Sequence, residues 1–213
     1  QMFGIDIEVF MVKVSFDQKP YRKLMMQSFG AKCHSSPSSI TDFGKKLLDE
    51  NPNNPGSLGI AISDAIESVV KSGGNAKYSL GSVLGHVLLH QTINGNEAIL
   101  QMEQAGDYPD IIVGCTGGGS NLSGLMFPFL GQQLRGGQKI DIIGCEPLSC
   151  PSFTKGKYAY DHGDMARMTP LIKMHTLGSD FLPPANHSGG LRYHVMSYHL
   201  SHLFELGLLR AKA

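Results

Sequence analysis

Residues 110–121 of the chain read Asp-Ile-Ile-Val-Gly-Cys-Thr-Gly-Gly-Gly-Ser-Asn, and this stretch decides the fold. The short apolar run predicts a buried strand, the three glycines a tight loop, and the pattern after Ser120 a helix. Glycines have no Cβ atoms, so the amides of such a loop can point toward one spot. The first helical turn adds unpaired N–H groups and a partial positive charge. The stretch therefore predicts a site for a phosphate group.

The glycine loop does not fit two familiar nucleotide patterns. The dinucleotide fingerprint Gly-x-Gly-x-x-Gly would need a glycine at Leu122, and the P-loop would need a lysine followed by serine or threonine. A loop with no lysine suits a small phosphate-bearing cofactor better than a nucleoside triphosphate. A glycine-rich turn that holds no ligand is the alternative.

The composition is that of a globular protein with no strongly charged partner. The 213 residues include 18 basic and 18 acidic side chains, which argues against a nucleic-acid groove or an anionic membrane surface as the main partner. No apolar run approaches the roughly 20 residues that cross a bilayer. The scattered cysteines, Cys33, Cys115, Cys145 and Cys150, favour a reducing, cytoplasmic location.

Strand-like and helix-like segments alternate along the chain. We expect strands over residues 5–14, 31–36, 110–115 and 140–145, and helices over residues 19–29, 41–50, 57–71, 85–104, 120–135 and 198–209. Thr41 or Ser39 can cap the second helix, and the fourth should be interrupted or kinked near Gly95. Residues 149–188 show little periodicity, so we expect a long loop that is functional or disordered. The alternation predicts an α/β fold of three layers, a parallel sheet with helices on both faces.

Several segments together resemble one family, the tryptophan synthase β chains. The glycine loop from Gly114 to Asn121 is similar to the loop that holds the phosphate of pyridoxal phosphate in these fold-type II enzymes. Four other segments resemble the longer, second class of the β chains: residues 78–83 (Tyr-Ser-Leu-Gly-Ser-Val), 155–161 (Lys-Gly-Lys-Tyr-Ala-Tyr-Asp), 171–178 (Leu-Ile-Lys-Met-His-Thr-Leu-Gly) and 189–194 (Gly-Gly-Leu-Arg-Tyr-His).

The resemblance implies a pyridoxal-phosphate-dependent lyase that replaces the hydroxyl of L-serine with indole to make L-tryptophan. It implies two domains, with residues 1–75 in the N-terminal, mobile domain and residues 76–213 in the C-terminal domain that holds the cofactor phosphate. It also implies a homodimer with a possible α-type subunit. By motif, the phosphate would be held by Gly117, Gly118, Gly119, Ser120 and Asn121.

Glu146 is a further candidate for the cofactor site. It follows the predicted strand 140–145, and open α/β sheets place ligands at the carboxyl ends of their strands. We therefore expect Glu146 to line the cofactor cleft. A polar group at the rim of the sheet, with no ligand, is the alternative.

The chain departs from the family at the residues that do the chemistry. The family's Schiff-base lysine lies in a Ser-His-Lys-x-Asn segment, and no His-Lys pair occurs here. The Glu-Thr-Gly-Ala-Gly-Gln segment with the catalytic glutamate is also absent, and Val195 stands where glycine is expected. Covalent catalysis with pyridoxal phosphate needs the lysine amine. We therefore expect an internal fragment of the enzyme that is inactive alone.

Other titratable residues carry weaker hypotheses. Replacement lysines could be sought at Lys155, Lys157 and Lys173, but solvated loop charges fit their polar surroundings better. His194, His199 and His202 could form a metal site. The alternative is that they lie on the surface of an amphipathic helix. For His86 and His90, four residues apart on one helix, we expect partly buried side chains. The aspartates at 107, 110, 161 and 164 show no carboxylate pair.

Two other functions stay open. The chain could be a non-catalytic phosphate-binding or assembly module. A reading frame that truly starts at Gln1 or Met2 would favour this function. It could instead belong to another fold-type II enzyme, such as a serine or threonine deaminase, although the later motifs favour tryptophan synthase.

Overall fold

A computed structural model describes residues 3–186 and 190–213 of the chain. The chain folds into two compact units, and the first division falls between Ser79 and Leu80. The first unit also takes in residues 162–171 and the stretch that begins at Ser179, while residues 172–178 belong to the second unit. The assignment of residues 1–75 and 76–213 to the family's two domains stays a prediction.

The first unit is built on two short parallel strands. Its elements in chain order are β1 (Glu8–Val12), α1 (Lys13–Gln18), α2 (Pro20–Ser28), β2 (Lys32–Ser36), α3 (Asp42–Glu50) and α4 (Leu58–Lys71). Strands β1 and β2 pair in parallel, with Glu8 opposite Lys32 and Val12 opposite Ser36. Helix α4 supplies buried apolar side chains at Ile60, Ala61 and Ile62.

Side-chain oxygens fix the beginnings of α3 and α4. Thr41 Oγ1 accepts the amide of Gly44 at 3.0 Å, and Ser57 Oγ accepts the amide of Ile60 at 3.2 Å. Each bond satisfies an amide that has no partner inside its own helix. Of the two predicted caps of α3, the structure therefore selects Thr41, and Ser39 is exposed.

The second unit carries a parallel sheet and a two-stranded sheet. Its elements are α5 (Gly85–Ala105), β3 (Ile111–Cys115), α6 (Ser120–Leu134), β4 (Asp141–Cys145), α7 (Ser152–Lys155), β5 (Lys157–His162), β6 (Leu171–Thr176), α8 (Tyr198–Glu205) and β7 (Arg210–Lys212). The last residue of β5 and the first residue of β6 are grouped with the first unit. The parallel sheet has the order β3-β4-β7, and β5 pairs with β6. The predicted α/β fold with parallel pairing is confirmed.

The core of the second unit lies between this sheet and helices α6 and α8. Ile112 of β3 and Ile142 of β4 belong to one buried apolar cluster with Leu122, Met126 and other residues of α6 and with Leu200 of α8. The neighbouring side chains of β3 point the other way, and Ile111 and Val113 are 53% and 57% exposed. One face of β3 is thus packed and the other is open in the described chain.

The expectation of a long irregular loop over residues 149–188 is wrong. The described part of this stretch contains α7, β5 and β6, while His187 and Ser188 lie outside the described residues. Strand β6 continues into an antiparallel bridge between Thr176 and Val195. The sequence pattern did not predict these strands because their buried and exposed positions do not alternate. Strand β6, for example, ends in three consecutive buried residues.

The expected interruption of α5 near Gly95 is also wrong, because α5 runs unbroken from Gly85 to Ala105, while the expected kink stays a prediction. Gly95 is needed for packing. A Cβ atom at Gly95 would lie 2.7 Å from the carbonyl oxygen of Gly124 and 2.8 Å from Cδ of Pro128, both in α6. The glycine lets the two helices approach closely.

Two predicted elements are shorter than expected. The helix expected to reach Leu209 ends at Glu205, because Gly207 takes a left-handed φ of 70° and lets the chain turn into β7 beside β4. The strand expected over residues 5–14 is limited to Glu8–Val12. The next residues form α1, in which Lys13 and Asp17 pair one helical turn apart at 3.5 Å. The longer strand was expected because residues 5–14 alternate and are rich in Ile, Val and Phe.

Candidate phosphate-binding site

The glycine loop is attached at its base to the ends of two parallel strands. The amide and the hydroxyl of Thr116 both donate to the carbonyl oxygen of Cys145, at 2.7 and 3.2 Å. The side-chain amide of Asn121 donates to the carbonyl oxygen of Cys115 at 3.3 Å. The loop therefore begins at the carboxyl edge of the sheet, where the sequence predicted it.

The amides of the loop are the chemical feature of the site. No acceptor within residues 3–186 and 190–213 receives the main-chain amides of Gly117, Gly118, Gly119, Ser120 or Asn121. Gly119 is the N-cap of α6, has φ of 100°, and makes no side-chain cap bond. The 15-residue helix α6 adds its positive N-terminal end at the same place. These groups suit an anion that accepts several hydrogen bonds at once.

Four helices of the chain begin with a side-chain acceptor at the N-terminus, whereas α1, α2 and α5, like α6, have no side-chain cap in the described chain. The first amides of α3, α4 and α8 donate to the side chains of Thr41, Ser57 and Ser197. The short helix α7 uses the carboxylate of Glu146 in the same way. At these four helices protein oxygens occupy the N-terminus, and at α6 an external oxygen could do so.

The glycines are also required by close packing on the loop. A Cβ atom on Gly118 would overlap the side chain of Val83, and one on Gly119 would lie 2.8 Å from Sδ of Met196. Val83 is buried and has a left-handed φ of 69°, which is unusual for a β-branched residue. The sequence explained the glycines by their amides alone, and this packing is a second and independent reason for them.

Ser197 joins the loop to α8. Its amide donates to the carbonyl oxygen of Gly118 at 3.0 Å, and its hydroxyl accepts the amide of Leu200 at 3.4 Å. Val83 and Ser197 were missed as residues of the site because nothing in the sequence places them beside Gly118. A serine directly before the apolar pattern of α8 was the available signal for the cap.

Glu146 lies at the carboxyl end of β4 and is buried, 5% exposed. Its carboxylate accepts the amides of Phe153 and Thr154 at 2.9 and 2.7 Å and the hydroxyl of Thr154 at 2.6 Å. The structure thus gives Glu146 a capping function at α7, which is the rim position that the sequence analysis kept as the alternative. Its contact with a cofactor stays a prediction.

The lysines considered as replacements for the Schiff-base lysine lie in exposed positions. Lys155, Lys157 and Lys173 are all exposed, and the ammonium group of Lys173 lies 4.6 Å from the ring centroid of Tyr158. A catalytic amine needs a desolvated or cationic setting. These surroundings match the expectation of solvated charges.

The histidines are distributed differently from the expectation. His86 and His90 are exposed rather than partly buried, because they lie on the outer side of α5, with ring centroids 6.1 Å apart. His199 is half-buried rather than on a helix surface, and burial lowers its pKa. Among the residues that the structure describes, no three His, Cys, Asp or Glu side chains are grouped as a metal site would require.

Two buried carboxylates of the first unit were not recognised in the sequence. Asp64 is fully buried and accepts the hydroxyls of Ser36 and Thr41 and the amide of Ser38. Burial raises its pKa, although these donors act in the opposite direction. One feature of the sequence could have revealed the burial of Asp64: it follows Ile60 by four residues and therefore lies on the apolar side of α4.

Asp164, also fully buried, holds together a segment of the first unit. It accepts the hydroxyl of Ser63 at 2.8 Å and both the amide and the hydroxyl of Thr169, at 2.9 and 2.7 Å. The sequence analysis sought aspartates that pair with each other. Asp164 instead accepts hydrogen bonds from the nearby Thr169 and from Ser63, which is 101 residues away, and a search for carboxylate pairs does not find such contacts.

Comparisons with known proteins show what the chain is similar to. A family model described as pyridoxal-phosphate dependent enzyme matches residues 1–188. The chain is 56% identical over 211 residues to a tryptophan synthase beta chain 2 of Aeropyrum pernix, covering 99% of the chain and 47% of that protein. It is also 56% identical to tryptophan synthase beta chain 2 of Thermotoga maritima, covering 99% of the chain and 50% of that protein.

A solved structure is similar in fold. A threonine deaminase from T.th. matches with a TM-score of 0.60 at 15% identity, over 99% of this chain and 55% of that one. At this identity the likeness concerns the fold alone.

The chain spans about half the length of the curated relatives that it matches. None of the helices in the described ranges combines the length and the apolar character needed to cross a membrane. The family match covers most of the chain, and the relatives that share more than half of its residues are tryptophan synthase β chains, so the resemblance seen in the sequence is confirmed. The chain belongs to the pyridoxal-phosphate dependent enzymes.

Proposed function

We propose that the loop from Gly117 to Asn121 holds the phosphate of pyridoxal 5′-phosphate and that the chain is the corresponding portion of a tryptophan-synthase-β-like lyase. The observation that carries the proposal is the row of loop amides with no acceptor in the described chain, at the N-terminus of α6. A phosphate oxygen would accept them. The Ser120 hydroxyl and the Asn121 side chain lie in the same turn and add donors.

The chain contributes binding rather than covalent chemistry. When bound, pyridoxal phosphate supplies an electron sink for reactions at an amino acid. The main-chain donors hold its phosphate, Thr116 ties the loop to β4, and Ser197 orients Gly118. No lysine follows a histidine anywhere in the sequence. We therefore infer that the lysine of the family's reaction is not supplied by this chain.

The substrates and partners are proposed for the whole enzyme. The two relatives named above are tryptophan synthase beta chains, which supports L-serine and indole as substrates and an α-type subunit as partner. A homodimer and a cytoplasmic location belong to the same proposal, supported by the resemblance and by four free cysteines. Sedimentation of the whole enzyme, with and without an α-type subunit, would test the assembly.

Binding of pyridoxal phosphate and of pyridoxal, which lacks the phosphate, tests the proposal. We expect the chain to bind pyridoxal phosphate, weakly and reversibly, and inorganic phosphate to compete with it. Pyridoxal should bind much more weakly, because the donors at α6 would have no anion to hold. With L-serine and indole added, the chain should form tryptophan much more slowly than a complete enzyme does, if it forms any.

Asn121→Asp sharpens this test. A carboxylate in the first turn suits the helix dipole of α6, but the variant loses the hydrogen bond from Asn121 to Cys115, so a thermal melt must first show that it is folded. The same charge repels a phosphate, and we expect about tenfold weaker binding of pyridoxal phosphate, which corresponds to about 1.4 kcal/mol. Asn96→Asp, at an exposed position of α5, is the matched control and should bind like the parent chain. Equal binding of pyridoxal and its phosphate, or an unaffected Asn121→Asp variant, would refute the proposal.

A further inference from the structure

Two cysteines lie side by side at the carboxyl edge of the parallel sheet. Cys115 is the last residue of β3 and Cys145 the last residue of β4, and the register pairs them directly. Neighbouring strands lie about 4.8 Å apart in the hydrogen-bonding direction. That spacing falls within the range of about 4.4–6.8 Å between Cα atoms that a disulfide can bridge.

The two thiols belong to the same face of the sheet. Residues paired across parallel strands project to one side, and side chains alternate along each strand. In β3, Ile111, Val113 and Cys115 are exposed, whereas Ile112 is buried; in β4, Ile143 and Cys145 are half-buried between buried neighbours. Cys115 and Cys145 therefore project from the open face of β3 and β4, away from the core.

Accessibility separates this pair from the other two cysteines. Cys115 is exposed and Cys145 is half-buried, so reagents in solution can reach them. Cys150 is buried and donates from Sγ to the carbonyl oxygen of Tyr193 at 3.2 Å, and burial raises its pKa to about 12. Cys33 lies in the first unit, where burial raises its pKa as well.

We propose that Cys115 and Cys145 form a reversible disulfide within the chain when it meets a mild thiol oxidant, and that they are a redox modification site beside the glycine loop. In the reaction two S–H bonds break and one S–S bond forms. The two thiols together release two protons and two electrons, and a diazene oxidant such as diamide takes up both, becoming a hydrazine. The proposal rests on the register and exposure of the cysteines and does not depend on cofactor binding.

The bond would act on the base of the candidate site. Cys115 directly precedes Thr116, and the carbonyl oxygen of Cys145 accepts both donors of Thr116. Cys115 is exposed, and exposed disulfides have higher reduction potentials and are reduced more easily. We therefore expect the bond to be opened readily by dithiothreitol.

The test is to treat the dilute, folded chain with diamide, remove the oxidant, denature, and count the free thiols. The expected result is the loss of two of the four thiols in a product that remains monomeric on a non-reducing gel, with full recovery after dithiothreitol. Cys115→Ser and Cys145→Ser should each abolish the intramolecular loss. Cys33→Ser is the matched control and should keep it.

Peptide mapping of the oxidised parent chain decides the outcome even if a variant folds poorly. Cys145 and Cys150 share the tryptic peptide of residues 140–155, so the linked peptides must be fragmented to locate the bond. A link between Cys115 and Cys145 supports the proposal. Any other linked pair, a dimer linked through Cys115, or four intact thiols overturns it.

Discussion

At the scale of single residues, buried carboxylates hold the first unit together. Glu67 of α4 accepts the amides of Asp42 and Phe43 at 2.6 and 2.9 Å and the ammonium group of Lys71 at 2.6 Å. It thereby satisfies the first amides of α3. Burial alone would raise the pKa of Glu67, but the hydrogen bond from Lys71 and the two amides lower it overall.

Replacing Glu67 by glutamine should destabilise the chain in a pH-dependent way. Because the pKa of Glu67 is lower in the folded chain, its contribution is complete above the ordinary glutamate pKa of about 4.3 and is lost as the pH falls through the folded-state pKa. We expect Glu67→Gln to lower the free energy of unfolding by about 1–3 kcal/mol at neutral pH. The difference should shrink in acid.

Urea unfolding of both chains at neutral and acidic pH measures this effect. Glu50→Gln is the matched control, because Glu50 is exposed, lies 4.0 Å from Lys46 in a surface pair, and loses the same charge. Such surface pairs contribute little. An equal effect of the two substitutions, or a Glu67→Gln effect that grows in acid, would contradict the role given to Glu67.

At the scale of elements, the close approach of α5 and α6 explains why glycines occur inside both helices. A Cβ atom on Gly124 of α6 would lie 2.6 Å from the carbonyl oxygen of Gln91 in α5, and Gly95 meets α6 in the same manner. A helix interior normally disfavours glycine by about 1 kcal/mol relative to alanine. Here the contact between the helices outweighs that cost.

Gly95→Ala should therefore destabilise the chain despite the better helix propensity of alanine. The added methyl group meets backbone atoms that cannot move away, and overpacking of this kind costs about 1–3 kcal/mol. Gly131→Ala, also in α6, is the control. Its Cβ atom would meet only the end of the Arg135 side chain at 3.4 Å, so this variant should be as stable as the parent or more stable. Thermal melts compare the two, and a Gly95→Ala chain that melts no lower than Gly131→Ala would refute this account of the packing.

Sequence reasoning succeeded for elements whose signals are local. The order β3, glycine loop, α6 follows from an apolar run, three glycines and a helical pattern, and residue type limits the cap of α3 to Thr41 or Ser39. It failed where a distant partner decides the structure. Arg210–Lys212 becomes a strand because β4 offers an edge, and Gly95 marks a close contact between α5 and α6.

At the scale of the whole molecule, the same limit applies to the candidate site. The loop residues could be predicted because their chemistry lies within one short segment. The partners Val83 and Ser197, which lie 35 and 79 residues from Gly118, reach it only through the fold. Glu146 was found by its position after a strand, but its bonds to α7 depend on a helix that the sequence pattern did not reveal.

Exposed apolar side chains are a second property of the whole chain. Leu89, Ile93 and Leu100 of α5 are 67%, 68% and 63% exposed, and Ile111 and Val113 lie on the open face of β3. Exposed apolar side chains favour association where they form a patch. Binding and stability measurements on this chain should therefore be made on dilute, monodisperse samples.

The central claim is that the amides of the glycine loop hold the cofactor phosphate. Titrating the ¹⁵N-labelled chain with pyridoxal phosphate, and separately with pyridoxal, while recording amide chemical shifts tests it most directly. The account predicts that the largest shifts belong to Gly117, Gly118, Gly119, Ser120 and Asn121, and that pyridoxal leaves these amides nearly unchanged. Unmoved loop amides, or shifts concentrated elsewhere in the chain, would contradict it.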